Sequence, residues 1–292
     1  MSRQIRKAHQ NARKLNIDKN TKLILFSDLH RGSGSRGDSF AKNQLLYLAA
    51  LRYYFENDYT YIELGDGDEL WKEDKMTSIL GAYQQIFRLL SEFHAQKRFI
   101  MLYGNHDSIK KDKFWQMENL YRFHLQNEQE MLALFPDICI DEAVLLSYLP
   151  KGRKILLLHG HQGDFRSSHF FQMTKMCVRY LWQPLEYLGL KNPFDTGHKE
   201  SRQSKVEQNL KRYAGKVKLP IIAGHTHRPR FAMAGETPYF NTGSGVHTAY
   251  ITGIELVCGT LQQVRWTFLL RADGSIYAGK ELLQAGRKLE DL

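Results

Sequence analysis

Cysteine is scarce in this chain of 292 residues. Cys139, Cys177 and Cys258 are odd in number, far apart and set in apolar surroundings. That excludes a disulfide framework and a thiolate metal site, and leaves packed free thiols as the expectation. No apolar run reaches the roughly 18–20 residues that a membrane-spanning helix needs, and residues 1–7 lack the apolar stretch of a secretory leader. The expected location is cytoplasmic. Internal repeats and low-complexity tracts are also missing, and 42% hydrophobic residues are enough for a buried core, so disorder is not expected. Acidic residues are the minority charge, 31 against 41 basic, giving a formal net charge of +10. The excess favours an anionic partner, whether a phosphorylated small molecule, nucleic acid or an anionic membrane surface, without choosing among them.

Residues 1–20 carry Arg3, Arg6, Lys7, Arg13, Lys14 and Lys19 with no sustained apolar stripe, and read as a basic N-terminal arm ahead of a single domain over 21–292. Three strand–loop–helix units follow. The apolar run 22–26 delivers Asp28 and His30 to a loop, and helical spacing marks 40–55. The run 59–64 ends in Gly65-Asp66-Gly67-Asp68-Glu69-Leu70-Trp71, and a helix is expected over 76–94. The run 98–102 ends in Gly104-Asn105-His106-Asp107. Such a succession argues for a layered α/β fold with ligands at the carboxyl ends of its strands.

A hairpin is expected over 143–158, delivering His159, His161 and Asp164. Residues 165–218 read as a helical insertion, aromatic in its first half (Phe170, Phe171, Tyr180, Trp182) and basic in its second (Lys199, Arg202, Lys211, Arg212). The run 219–222 then leads to Gly224-His225-Thr226-His227-Arg228, and the strand signals after it are expected to form a second sheet packed on the first.

Six of the twelve histidines fall in these turns: His30, His106, His159, His161, His225 and His227. Alone, Gly104-Asn105-His106-Asp107 is equally a hydrogen-bonded turn. With Asp28, Asp66 and Asn105 at the neighbouring strand ends it belongs to a mixed Asp/His/Asn set without thiolates, the composition that suits Zn, Mn or Fe. The donors outnumber what one ion needs, so two ions sharing a carboxylate is the economical arrangement.

With its blocks in order, Asp28-Leu29-His30, Gly65-Asp66-Gly67-Asp68-Glu69, Gly104-Asn105-His106-Asp107, His159 and Gly224-His225-Thr226-His227, the chain resembles the calcineurin-like metallophosphoesterase superfamily. The resemblance implies a four-layer α/β/β/α sandwich, here with a helical cap insertion, and two divalent ions, Mn foremost with Fe or Zn as alternatives. It assigns Asp28, His30, Asp66 and His227 to one ion and Asp66, Asn105, His159 and His225 to the other. Hydrolysis would proceed by attack of a metal-bridging hydroxide, with His106 protonating the leaving oxygen and Asp107 orienting it. Asn105 would also touch phosphate. Arg31 and Arg228, which directly follow ligand motifs, would clamp phosphate or form structural salt bridges, and His161 shares its block with His159. Asp68, Glu69 and Asp164 are expected to support the ligands.

Within the superfamily the spellings Gly65-Asp66-x-x-Glu69-x-Trp71 and Gly224-His225-Thr226-His227-Arg228-Pro229, and the insertion, look most like the UDP-2,3-diacylglucosamine pyrophosphatases and their relatives. His106 departs from them, standing where their best-known form has Arg. The branch implies hydrolysis of a phosphodiester or pyrophosphate bond in a small phosphorylated metabolite, nucleotide or nucleotide-lipid, with the cap over acyl chains or in peripheral contact with a membrane. The alternatives are a nuclease, supported only by net charge, and an inactive protein- or membrane-binding scaffold, against which every ligand position is filled.

Overall fold

A computed structural model describes residues 3–124, 131–164 and 205–292. The central strands β2 (Leu23–Phe26), β3 (Thr60–Leu64) and β4 (Phe99–Leu102) run parallel. They read as continuous apolar runs because both of their faces are covered. Leu23, Leu25, Ile62, Leu64, Ile100 and Leu102 enter one core, while Ile24, Phe26, Tyr61, Phe99 and Met101 enter another on the opposite face. The second core is closed by helices α2 (Gln44–Glu56), α3 (Met76–Ala82) and α4 (Gln84–Ala95), through Leu46, Tyr47, Leu51, Ile79, Phe87 and Phe93. The single helix expected over 76–94 is interrupted at Tyr83 (φ −123°, ψ 36°), whose hydroxyl donates to Asp38.

The sheet is extended on one side by β12 (Tyr250–Val257), β13 (Thr260–Leu270) and β14 (Ile276–Leu282), on the other by β7 (Ile140–Asp141), and β15 (Arg287–Lys288) pairs with β13. This corrects the expectation that the C-terminal strands form the second sheet. Those beyond residue 249 join the first, with Ile254 opposite Leu25 in antiparallel register, and Tyr239–Asn241 alone of the strands after residue 229 enters the second. The second sheet is instead β1 (Arg13–Ile17), β8 (Ala143–Tyr148), β9 (Arg153–Leu158), β10 (Ile221–Ala223) and β11 (Tyr239–Asn241), in that order. A short hairpin, β5 (Arg122–His124) and β6 (Met131–Ala133), lies apart from both sheets.

The residues numbered 1–20 are no detached arm in this structure. Helix α1 (Arg3–Gln10) buries Ile5 and Ala8, and β1 pairs in parallel with β8, an apolar contribution too sparse to stand out among the basic residues. Most of the expected cap, 165–204, lies outside the described residues. Its remaining part is α6 (Lys205–Val217), which packs Val206, Leu210, Tyr213 and Ala214 with α1 onto the second sheet. The layers are therefore helices, eight-stranded sheet, five-stranded sheet, helices, the expected α/β/β/α order. Helix α5 (Lys113–Leu120), capped by the Asp112 side chain, follows the β4 loop. Cys139 and Cys258 are unpaired and exposed rather than packed, and Cys177 is outside the described residues.

Candidate metal centre

The loops that leave the carboxyl ends of β2, β3, β4, β9 and β10 meet above the two sheets. Of three groups of potential ligands there, two pair an aspartate with histidines, Asp28 with His30 and His227, and Asp66 with His159 and His225, and the third is His30 with Glu69 and His106. In the first, His227 Nε2 is 3.2 Å from Asp28 Oδ1 and 3.2 Å from His30 Nε2. In the second, His159 Nε2 is 3.1 Å from Asp66 Oδ2 and 3.2 Å from Asn105 Oδ1. The groups adjoin: Asp66 Oδ2 is also 3.9 Å from His30 Nε2, and Asp28 Oδ1 is 3.9 Å from His159 Nε2.

Each carboxylate is fixed by one oxygen and presents the other. Asp66 Oδ1 accepts the His106 N–H at 2.7 Å. Asp28 Oδ2 accepts the His225 N–H at 2.8 Å and the Ser27 hydroxyl. The imidazoles are fixed in the same way. His159 Nδ1 lies 2.8 Å from the Leu64 carbonyl and His30 Nδ1 lies 2.8 Å from Glu69 Oε2, which leaves each Nε2 as the atom turned to the cluster. This is how second-layer partners set the tautomer of a metal-binding histidine. Asp28 (φ 53°), His30 (φ 50°), Asp66 (φ 50°), His225 (φ 69°) and His227 (φ 56°) all hold left-handed backbone. Asp and His tolerate this better than most residues, but each instance still costs free energy that the surroundings must impose, and such positions gather at functional sites.

The turns leave no room to spare. A Cβ on Gly104 would collide with Asp66 Oδ1 and the Asp66 amide, and one on Gly224 would collide with Ser27 and Asp28.

Charge in the cluster is finely divided. Burial opposes ionisation of Asp28, but His227 and His159 bring it down to about 2. Asp66 is likewise held well below the carboxylate range, against burial, by His159 and His106. Burial lowers His159, yet Asp66 and Asp28 outweigh it and raise the group to about 9. Burial and the neighbouring His159 push His225 down to about 4, keeping it a neutral imidazole. Ionised carboxylates, a neutral imidazole and the Asn105 amide oxygen, all oxygen and nitrogen donors, suit a borderline divalent ion.

One expected role changes and one open alternative is decided. Asp107 does not orient His106. It is buried within the turn, where its oxygens accept the amides of Gly104 (2.7 Å), Gly67 (3.1 Å) and Asp66 (3.3 Å). The partner of His106 is Glu69, whose Oε1 is 2.8 Å from His106 Nδ1. Glu69 thus holds His30 with one oxygen and His106 with the other. Arg31 cannot clamp phosphate, because it is fully buried, with its guanidinium on Glu63 at 2.8 and 3.0 Å and on Asp68 at 2.7 Å. Arg228 is half-buried on the His227 turn. The His161 ring lies 5.5 Å from that of His159, and burial together with His159 lowers its pKa well below the usual histidine value. His161 falls in none of the three groups.

Two residues escaped the sequence reading. Trp71 stacks on His106, centroids 3.8 Å apart and planes at 20°, and its indole N–H donates to the Asn105 carbonyl at 2.9 Å. His247, which by sequence was a scattered histidine, meets the His227 carbonyl at 2.7 Å through Nε2. Only the aromatic placed two residues after Glu69 hinted at the first, and nothing local hinted at the second.

The profile of the calcineurin-like phosphoesterases matches residues 21–229, and the chain belongs to that family. The family binds two divalent ions, and the paired His/Asp groups fit such a centre. Among solved structures, Vps29 from Cryptosporidium parvum is similar at 14% identity, covering 91% of this chain and 98% of its own, with a TM-score of 0.39. Wild-type Vps29 from Entamoeba histolytica, complexed with zinc, has 14% identity, coverage of 90% and 100%, and a TM-score of 0.36. The cold-active protein-tyrosine phosphatase of a Shewanella species has 13% identity, coverage of 92% and 82%, and a TM-score of 0.40. A search of curated proteins finds no match. No helix among the described residues is long and apolar enough to cross a membrane.

Proposed function

We propose that this chain hydrolyses a phosphodiester or pyrophosphate bond in a small phosphorylated metabolite, nucleotide or nucleotide-lipid. The observation that carries the reading is Asp66 Oδ2, which lies 3.1 Å from a nitrogen of one ligand group and 3.9 Å from a nitrogen of the other. Asp28, His30 and His227 hold one ion; Asn105, His159 and His225 hold the second; Asp66 is shared between them. Manganese is the first candidate, with iron or zinc as alternatives. Two such ions supply Lewis-acid polarisation of phosphoryl oxygens and a water acidic enough to attack phosphorus at neutral pH.

The chain's own groups do the rest. His106 keeps Nδ1 on Glu69 and turns Nε2 outward, and its imidazole side chain is 20% exposed beside the cluster. Burial lowers its pKa, but Glu69 and Asp66 prevail and raise it above the ordinary histidine value. A histidine beside the cluster whose proton is held by a carboxylate partner is suited to protonating a leaving oxygen. Asn105 binds metal and can reach phosphate. Glu69 and Trp71 restrict the acid ring from its edge and its face. The UDP-2,3-diacylglucosamine-pyrophosphatase-like substrate draws support from the two motif spellings, and cap contact with acyl chains or a membrane rests on the aromatic residues of 165–204. The cytoplasm is the proposed location.

The test is hydrolysis of a chromogenic phosphodiester and a panel of nucleotide sugars, UDP-diacylglucosamine and short nucleic acids by the manganese-loaded chain. Activity lost in Asp66→Ala and sharply reduced in His106→Ala is expected. Loaded protein inert on the whole panel would favour a scaffold, and cleavage of nucleic acid alone would make it a nuclease.

A further inference from the structure

A pocket of about 310 Å³ opens beside the ligand cluster, with His106 as the wall toward the cluster, Leu70 and Trp71 as other walls, and Ser108, Ile109 and Lys111 completing it. That is the lower end of the usual range for ligand sites, about 300–1,000 Å³. Leu70 and Trp71 are buried, while Ile109 is 43% exposed. The indole N–H of Trp71 is already given to the Asn105 carbonyl at 2.9 Å, so its ring adds apolar surface to the pocket. Asp112, also on the lining, turns its carboxylate to the Trp115 N–H at 2.9 Å, where it caps α5. Among the described residues, polar recognition inside the pocket beyond His106 therefore falls to Ser108 and Lys111.

We infer that this pocket receives the leaving group and selects a compact apolar one, a single ring or a short branched alkyl chain, bonded directly to the scissile oxygen. The inference rests on the proposed role of His106 and narrows the substrate to a phosphodiester. His106 holds Glu69 through Nδ1, and its ring lines the pocket on the side of the ligand cluster. In the step, water gives up a proton to solvent as its oxygen bonds to phosphorus, the bond from phosphorus to the leaving oxygen breaks, and that oxygen takes a proton from His106, which solvent restores. The released species is a neutral alcohol. A weakly polar pocket of this size holds such an alcohol well, and is too small for a diacyl lipid.

The experiment compares benzyl methyl phosphate with 2-methoxyethyl methyl phosphate, whose leaving alcohols are of similar acidity, on the manganese-loaded full chain. A preference of roughly 10- to 200-fold in kcat/KM for release of benzyl alcohol is expected, the span that apolar pockets give for small changes in bulk. Ile109→Asp should collapse that ratio toward one. Equal kcat/KM for the two diesters, a ratio that survives Ile109→Asp, or faster cleavage of a nucleoside diphosphate sugar than of the benzyl diester would each overturn the inference. Hydrolysis of none of these compounds would defeat the phosphoesterase reading instead. The pocket is then judged by calorimetric binding of benzylphosphonate against methylphosphonate: tighter binding of the first, weakened by Ile109→Asp, supports it, and equal affinities overturn it.

Discussion

The backbone N–H of His106 donates to Oδ1 of Asp66 at 2.7 Å, so the proposed acid and the proposed shared carboxylate are fixed to one another by the chain itself. The other oxygen of Asp66 is the one that faces both ligand groups. Asp66→Asn can keep the contact to the amide while removing the charge, which separates the two duties. The expected result is one ion per chain instead of two by elemental analysis, with a fall in hydrolysis larger than the roughly 10- to 100-fold that loss of a supporting partner causes. A variant that still carries two ions would sink the shared-carboxylate assignment.

Glu69 touches neither proposed substrate nor, in the expected ligand set, metal, yet both His30 and His106 lean on it at 2.8 Å. His106 acts as an acid only while protonated, so kcat should fall as pH rises through its pKa, which Glu69 and Asp66 raise against the effect of burial. Glu69→Gln removes the larger of the two raising charges. Its falling limb should therefore move to lower pH, and kcat at neutral pH should drop by about 10- to 100-fold for poor leaving groups, the usual cost of losing a supporting partner. Substrates with very acidic leaving groups should lose far less. Identical pH profiles for Glu69→Gln and the parent chain would refute the pairing.

How much of this was legible depended on where the information sits. The strand ends are legible because β2, β3 and β4 are buried on both faces and polar residues follow at once: Asp28, His30, Asp66, Asn105 and His106 all lie in the turns that leave these strands. The partner of His106 was not, since Asp107 is its neighbour in sequence while Glu69 lies 37 residues away, and only the fold turns the distant carboxylate toward the ring and the near one into the backbone. For Arg31 the sequence left a phosphate clamp and a structural salt bridge open, and the fold decides for the salt bridge: its partner Glu63 sits inside an apolar strand, where a carboxylate gives no sign of being paired. His247 is unreadable because its contact with His227 spans twenty residues and an irregular loop. The second sheet was misassigned because strand pairing between β12 and β2 joins segments more than two hundred residues apart, which local pattern does not encode.

Beneath the cluster, Arg31 and Lys110 tie the three loops together. Lys110 Nζ lies 2.6 Å from Asp68 and 2.8 Å from Asp107, Arg31 binds Asp68 and Glu63, and Tyr61 donates to Glu63 at 2.9 Å. All five charged groups are at most 1% exposed. Removing one member strands the others: Lys110→Met should cost about 3–5 kcal/mol, because Asp68 and Asp107 are left as buried charges lacking one partner. Chemical denaturation of the metal-free chain measures this. Arg31→Lys should likewise lower stability while leaving KM for a given diester close to the parent value, since Arg31 has no path to substrate. A selective rise in KM with unchanged stability would restore the phosphate-clamp role.

Metal loading should depend on pH through His159. Its pKa is raised to about 9 by Asp66 and Asp28 in spite of burial. In the metal-free chain the protonated form is thus favoured by folding, and the stability it contributes is complete below the unfolded value near 6.5 and is lost as pH rises through about 9. Binding of an ion needs the Nε2 lone pair, so loading displaces that proton. Apparent affinity should therefore increase from pH 6 to 9, with close to one proton released per ion at this position below pH 8. His225 adds nothing over that interval, since it is already neutral above about 4. Calorimetry of manganese binding in buffers of different ionisation enthalpy reads the proton directly, and thermal denaturation of the metal-free chain reads the opposite trend. The parent chain should lose stability between pH 7 and 9 while its affinity for manganese grows, and His159→Asn should flatten both curves. Retention of the same proton release in His159→Asn would place the titrating group elsewhere in the cluster.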